Sequence, residues 1–308
     1  MKKLLIIGGS GLFGKSIIDY GVDKKLIKHK IDEIYIISRS NISNKRKNKY
    51  IKLNYISKNF EEIKKIPQVD YVIYALKSKN IRSSQRYFNH FTNLLKKLSK
   101  KPKILFTSSG AVYGKNNNKV KRHENTIINY KKIDMLKGYK RKYALEKLYI
   151  EKRFKELGLL NFNVSIARCF NFLGKHSLGD GQLIGNMIYE GLNKKIISIN
   201  DSNNAYRGYL DASDLVHWLI TIVKNSNKKC PIFNVGSDKA INVKLLAKKI
   251  SKMFNKKLIF YKDKRFETDY YVPSIDKAKT LLKLRISINL NDSLNSFIKW
   301  VHICKKYQ

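Results

Sequence analysis

Residues 3–22 read KLLIIGGSGLFGKSIIDYGV, and this stretch decides the fold. Residues 3–7 form an apolar run short enough for a buried strand, and 15–22 carry helical periodicity. Between them Gly8, Gly11 and Gly14 make a Gly-x-x-Gly-x-x-Gly turn, with Leu12 and Phe13 inside it. Glycines allow a tight turn and let the backbone approach a pyrophosphate, whose charge the helix N-terminus then faces. A glycine triplet alone is weak evidence. Set between a strand and a helix, it points to a dinucleotide site.

Outward from this turn the alternation continues. Strands are predicted at 33–38 (EIYIIS), 50–56, 70–76 (DYVIYAL), 103–109 (KILFTSS) and 162–169, with helices at 82–99 and 136–157. Strands alternating with helices predict an α/β fold, a doubly wound parallel sheet of the Rossmann type with right-handed crossovers. Beyond Phe170 the pattern loosens. Helices are expected at 181–192, 212–225, 242–254, 276–283 and 291–302, and strands at 195–200, 231–236 and 257–262. The expected division is a dinucleotide-binding domain over 1–170 and a smaller C-terminal α/β substrate-binding domain over 171–308. Residues 205–240 are expected to return to the first domain. Lys-Asn stretches at 41–49 and 115–122 read as solvated loops.

The chain of 308 residues is long enough to bury a large core, and 43% of it is hydrophobic. Its net charge of +41 would suit a polyanion partner. That charge is spread along the whole chain as Lys, however, while a nucleic-acid surface would be local. It reads as compositional bias with some use in attracting an anionic substrate. Cys169, Cys230 and Cys304 are odd in number and lack metal spacing, which suits a reduced intracellular protein. The opening MKKLLIIGG has an apolar run of only about four residues before Gly8, too short for a secretory h-region. Nothing approaches a membrane-spanning length, so the expected setting is cytoplasmic, without membrane insertion.

After the second strand the chain reads Ser38-Arg39-Ser40, where an acidic residue would hold a ribose 2′-hydroxyl. A guanidinium with hydroxyls suits a 2′-phosphate, so NADP is the expected cofactor and NAD the alternative. Ala75, near the end of the fourth strand, is expected to line the same site.

Residues 143–151 read YALEKLYIE, and about thirty residues upstream stands FTSSGAVYG. Tyr143 and Lys147 are four apart and share one helix face. Ser109 stands where a strand would stop. A Tyr with pKa of about 10 is a poor base alone. A fixed cation about 4 Å from the phenolate is worth roughly 4 kcal/mol at an effective dielectric of 20. At about 1.36 kcal/mol per pKa unit, that brings the phenol toward neutrality, where a general base works best. Tyr-x-x-x-Lys by itself is commonly a surface accident; the neighbouring motifs are what give it weight.

Those motifs recur in the order and spacing of one family. Through GxxGxxG, DYVIYAL, SSGAVYG and YxxxKLxxE the chain resembles the extended short-chain dehydrogenase/reductases of the NAD(P)-dependent nucleotide-sugar epimerase/dehydratase type. ARCFNFLGK is similar to the family's R-x-x-N-x-x-G stretch, through Arg168, Asn171 and Gly174. YRGYLDASDL is similar to its R-D-aromatic-aliphatic-x-x-x-D stretch, through Arg207, Tyr209 and Asp214, and FNVGS and YVPSIDKAKTLL resemble its closing segments. The resemblance implies that Ser109, Tyr143 and Lys147 are catalytic. Tyr143 would exchange the substrate hydroxyl proton. Lys147 would lower its pKa and hold the nicotinamide ribose, and Ser109 would bond the reacting oxygen. Asn171, Arg207 and Arg265 would hold a nucleotide diphosphate, Arg207 by a bidentate grip. A homodimer is implied, as is a place in making sugars for surface polysaccharides.

Departures narrow the expectation. The 4,6-dehydratases carry Asp-Glu directly after the triad hydroxyl; here Gly110 and Ala111 stand there. Elimination is therefore not expected. Lys77 breaks a small-residue pattern, as cofactor contact or as surface, and His176 lies in the expected substrate loop. Arg168 directly follows an apolar strand, so a structural ion pair competes with a phosphate role. The leading expectation is an epimerase working by hydride transfer at sugar carbon 4. A 4-keto nucleotide-sugar reductase using NADPH is the alternative. An RNA-binding or regulatory protein reusing the fold is the third reading; it predicts eroded catalytic residues, and Ser109, Tyr143 and Lys147 are all kept.

Overall fold

The computed structural model describes residues 2–22, 26–39, 51–136, 138–178, 182–201, 205–262 and 268–305. The expected loop at 41–49 and Arg265 lie outside them. In chain order the elements begin β1 (Lys2–Ile7), α1 (Leu12–Val22), β2 (Ile31–Ser38), β3 (Lys52–Ser57) and β4 (Tyr71–Tyr74). Then come α2 (Ile81–Lys96), β5 (Lys103–Ser109), α3 (Tyr130–Asp134), α4 (Tyr139–Leu159), β6 (Asn163–Cys169) and β7 (Asn171–Leu173). They continue with α5 (Leu183–Asn193), β8 (Ile196–Asp201), β9 (Ala205–Arg207), β10 (Tyr209–Asp211), α6 (Ala212–Lys224) and β11 (Ile232–Val235). The last are β12 (Ile241–Asn242), α7 (Val243–Phe254), β13 (Lys257–Lys262), β14 (Asp269–Tyr271), α8 (Asp276–Leu282) and α9 (Leu290–Lys305).

The chain divides into two compact units. The first comprises Met1–Val112, Lys137–Arg168 and Val216–Phe233; the second comprises Tyr113–Leu136, Cys169–Leu215 and Asn234–Gln308. In the first, described strands form one seven-stranded sheet in the order β11-β6-β5-β4-β1-β2-β3. The pairs β1–β2, β1–β4, β2–β3 and β4–β5 are parallel. This is the doubly wound sheet of the sequence reading. Leu4, Leu5, Ile6 and Ile7 have no exposure at all, as expected of a central parallel strand covered on both faces.

Helix α2 starts at a capping box: the Asn80 side chain accepts the Ser83 N–H at 2.9 Å, and Ser83 Oγ accepts the Asn80 N–H at 3.2 Å. It buries Phe88, Phe91, Leu94 and Leu95, one helical stripe. Helix α4 buries Ala144, Lys147, Glu151, Phe154 and Gly158, a perfect three-four spacing. Two members of that apolar stripe are charged. Phe154 anchors the stripe by stacking on Phe106 at 4.9 Å, with its rings 3° from parallel.

In the second unit, short strands replace long ones. β8 pairs with β13 in parallel, and β7 with β10. β9 lies between antiparallel β12 and parallel β14. Leu173, Met187, Ile188, Leu246, Ile250 and Phe297 are among its buried core. The stretch 115–122, read as a solvated loop, is held down at Asn116. That side chain is buried, and its Nδ2 donates to Val120 O at 2.8 Å and Tyr270 O at 2.9 Å. A polar residue in a Lys-Asn run gives no sign from sequence that it satisfies a carbonyl of its own loop and another 154 positions away.

Candidate functional site

Because β1, β2, β4 and β5 run in parallel, their C-terminal ends share one edge of the sheet. Gly8 follows β1, Ser38 ends β2, Ala75 follows β4 and Ser109 ends β5. Ligands of open parallel sheets bind beyond this edge. Gly8 has φ of +101°, and a Cβ there would sit 2.6 Å from Ala75 O, so only glycine fits. The N–H groups of Gly8 and Gly9 both donate to Ile37 O, at 3.0 and 2.9 Å, and Ala75 N–H donates to Ile7 O at 2.9 Å. Gly11 differs: an added Cβ would meet nothing of the chain closer than 3.5 Å. Packing does not demand a glycine there, whereas close approach of a ligand does. Half-buried Leu12 and Phe13 open α1, Gly14 is buried against Gly9, and Arg39 stands exposed beyond buried Ser38. The residues present fit a dinucleotide pyrophosphate.

Ser109 stands at this edge, and helix α4 brings Lys147, with Tyr143 beside it, to the same strand. Ser109 is buried, and its Oγ accepts the Ala111 N–H at 3.2 Å. Lys147 is 5% exposed. Its Nζ donates to Thr107 O at 3.2 Å and lies 5.0 Å from the Phe106 ring centre and 5.5 Å from that of Tyr143. The strand that ends in Ser109 thus also fixes the ammonium beside half-buried Tyr143. In general a buried cation close to a phenol oxygen favours the ionised form. Tyr139, one turn earlier, stacks on Tyr143 at 5.7 Å, and Lys77 Nζ sits 5.3 Å from the Tyr139 ring centre. The sequence reading did not single out Tyr139, though its spacing of four from Tyr143 was the available signal.

Beneath this group lies a buried ion pair. Arg168 Nη2 donates to Glu151 Oε2 at 2.7 Å and Arg168 Nε to Glu151 Oε1 at 3.0 Å, with Ser108 Oγ donating to the same Oε1 at 2.6 Å. Arg168 is therefore a structural ion-pair partner that ties α4 to β6 and to the residue before Ser109. A second buried carboxylate, Glu146, accepts Ser78 Oγ at 2.7 Å. Burial pushes the Cys230 thiol up to about 12, so it is inert at neutral pH. Among the described residues no cluster of three or more His, Cys, Asp or Glu could hold a metal ion. No helix among them is long and apolar enough to cross a membrane.

The second unit brings Asn171 and Arg207 together. Asn171 Nδ2 donates to Gly208 O at 3.3 Å, and β7 carries Asn171 opposite Tyr209. Arg207 Nη2 donates to Asp269 Oδ2 at 2.5 Å and Nη1 to Asp269 O at 2.9 Å. Asp214 is a loop anchor: its Oδ2 accepts the N–H groups of Ser287 and Ile288 at 2.8 and 3.1 Å. His176 is half-buried in the 3-10 turn Lys175–Ser177.

Comparison with known proteins gives the chain a family. The model of the NAD dependent epimerase/dehydratase family matches residues 4–236. The chain belongs to that family. It is 26% identical over 348 aligned positions to the bifunctional polymyxin resistance protein ArnA of Wigglesworthia glossinidia brevipalpis, covering 97% of this chain and 51% of that one. It is 27% identical over 146 residues to UDP-glucuronic acid decarboxylase 1 of Xenopus tropicalis, 46% of this chain and 34% of the relative. The chain thus spans about half of one of these curated relatives and about a third of the other. The UDP-glucose 4-epimerase of Thermotoga maritima, solved with UDP-glucose, superposes with a TM-score of 0.75 at 18% identity, covering 99% of this chain and all of the other. At that identity the likeness concerns the fold.

Proposed function

We propose that this member of the epimerase/dehydratase family is a nucleotide-sugar epimerase acting at carbon 4 of the sugar. The observation that carries the reading is the placement of Lys147. A strand carbonyl holds its ammonium beside Tyr143, on the sheet edge where Ser109 ends β5. Tyr143, as phenolate, takes the proton of the 4-hydroxyl and returns it after the sugar has turned. Lys147 stabilises the phenolate charge before the first transfer and after the second, when Tyr143 is ionised. Ser109 donates to the same sugar oxygen and keeps it aimed at Tyr143. When bound, the nicotinamide cofactor supplies the hydride acceptor and donor. Gly8, Gly11, Leu12, Phe13, Gly14 and Ala75 would hold its pyrophosphate side. Ser38 and Arg39 would take a ribose 2′-phosphate, which makes NADP the expected form. Asn171 and Arg207, with Arg265 as a third candidate, would hold the diphosphate of the sugar nucleotide.

Absence of the Asp-Glu pair at Gly110 and Ala111 supports proton and hydride exchange at one carbon over elimination of water. Arg39, set beyond β2, also favours a second reading, a 4-keto sugar reductase consuming NADPH. Incubating the purified chain with UDP-glucose, UDP-galactose and their N-acetylated and uronic counterparts, without added reductant, separates the two. Interconversion of a C4 pair supports the epimerase. No interconversion there, with stoichiometric NADPH loss in a parallel incubation supplied with NADPH and a 4-keto sugar, overturns it.

A further inference from the structure

The bonds around Arg207 leave a defined part of its guanidinium unused. Arg207 ends β9, and β14 runs parallel beside it, with Asp269 opposite Ala205 and Tyr271 opposite Arg207. Nη1 donates twice, to Tyr206 O at 2.8 Å and to Asp269 O at 2.9 Å. Nη2 donates once, to Asp269 Oδ2 at 2.5 Å. The terminal edge, formed by Nη1 and Nη2, is thus closed by one residue, Asp269, through its backbone and its side chain. A guanidinium has five N–H donors in a rigid fork. The two left over are Nε–H and the second N–H of Nη2. These lie parallel on the side edge, at the spacing of two oxygens of one phosphate. The buried polar atoms without a partner among the described residues are Arg122 Nε, Arg153 Nε and Asp238 Oδ1. Arg207 Nε is not one of them, and the Arg207 side chain keeps 14% of its surface exposed.

The neighbouring residue explains why the carboxylate comes from another strand. Gly208 stands where the R-D-aromatic stretch has its Asp. A Cβ at 208 would sit 2.0 Å from Ser237 O, so no side chain fits. β14 supplies the acid instead, and Asn171 Nδ2 bonds Gly208 O on the adjoining backbone. Orientation and charge act in opposite senses here. By charge alone, Asp269 repels a diphosphate. By orientation, it spares the ligand the cost of ordering a long, rotamer-rich side chain. The Asp269 side chain is 42% exposed, so water screens its repulsion, while Arg207 at 14% is firmly held.

We propose that Asp269 is a positioning residue: it locks Arg207 so that the side edge of the guanidinium grips the diphosphate of the sugar nucleotide. This rests on the diphosphate role given to Arg207 above. The test titrates the full chain with UDP, and with dTDP, by calorimetry. Asp269→Ala should raise the UDP Kd about five- to tenfold. Asp269→Asn, whose amide oxygen still accepts from Nη2, should stay within about twofold. In an Arg207→Ala background, Asp269→Ala should change nothing further, and NAD affinity should be the same throughout. An unchanged or tighter UDP Kd in Asp269→Ala overturns the proposal. So does a further loss in the Arg207→Ala background, which would mark a structural role. If Arg207→Ala itself leaves UDP binding intact, or the unaltered chain binds neither nucleotide, the diphosphate reading falls as well.

Discussion

Replacing Arg168 by Met should destabilise the first unit by about 3–5 kcal/mol, the usual loss when one partner of a buried ion pair is removed. The two side chains are 4% and 3% exposed and are joined by charge-assisted bonds from both Nε and Nη2, the shortest at 2.7 Å. Removing Arg168 leaves the Glu151 carboxylate in the core with Ser108 Oγ as its remaining described donor. Replacing both, as Arg168→Met with Glu151→Leu, removes both charges from the core and should cost about 1–2 kcal/mol, less than the single change. The coupling between the sites should therefore be at least about 1 kcal/mol. Two tryptophans allow a clean readout. Trp218, fully buried in α6, belongs to the first unit and Trp300 in α9 to the second. Urea unfolding followed by fluorescence in a Trp300→Phe background thus reports on the first unit. At about 2–4 °C per kcal/mol, the single variant should also melt roughly 10 °C lower. A loss under about 1 kcal/mol for Arg168→Met, or a double variant no better than the single, would refute the reading of this pair.

Three other outcomes follow from the same geometry. Tyr143→Phe keeps the ring stack but removes the transferable proton, so turnover should fall at least about a hundredfold with little change in KM; steady-state kinetics decides it. Arg39→Ala should weaken NADPH about tenfold and leave NADH unchanged, as read by fluorescence titration; equal losses would contradict the 2′-phosphate role. Burial, with His217 Nδ1 at 3.2 Å, pushes His29 down to about 4 from 6.5. The folded state then binds fewer protons than the unfolded between these values. His29 therefore contributes stability above about pH 6.5 that is lost as pH falls to about 4, up to roughly 3 kcal/mol. His29→Gln should flatten the difference in urea midpoint between pH 7.5 and 4.5; a parallel pH dependence would count against it.

The sheet was legible because central parallel strands are buried on both faces and read as unbroken apolar runs such as KLLII. Strands of two or three residues, such as β7, β9, β10, β12 and β14, carry no period to read. Their pairing is set by tertiary contact. Tyr143 and Lys147 were legible from spacing, and Glu151 could have been, since it continues the Lys147 stripe one turn on. Sequence left Arg168 open between phosphate and ion pair, because its partner is seventeen positions away across the sheet. Asp269 was out of reach for the same reason: only the β9–β14 pairing brings it to Arg207.

The most direct test of the central claim is product analysis of the purified chain incubated with C4-epimeric nucleotide sugars and no added reductant. The account predicts that a galacto form and its gluco partner reach the same equilibrium from either side, and that Tyr143→Phe abolishes the exchange. Failure of every pair to interconvert, while a parallel incubation supplied with NADPH reduces a 4-keto sugar with one NADPH consumed per product, would contradict it.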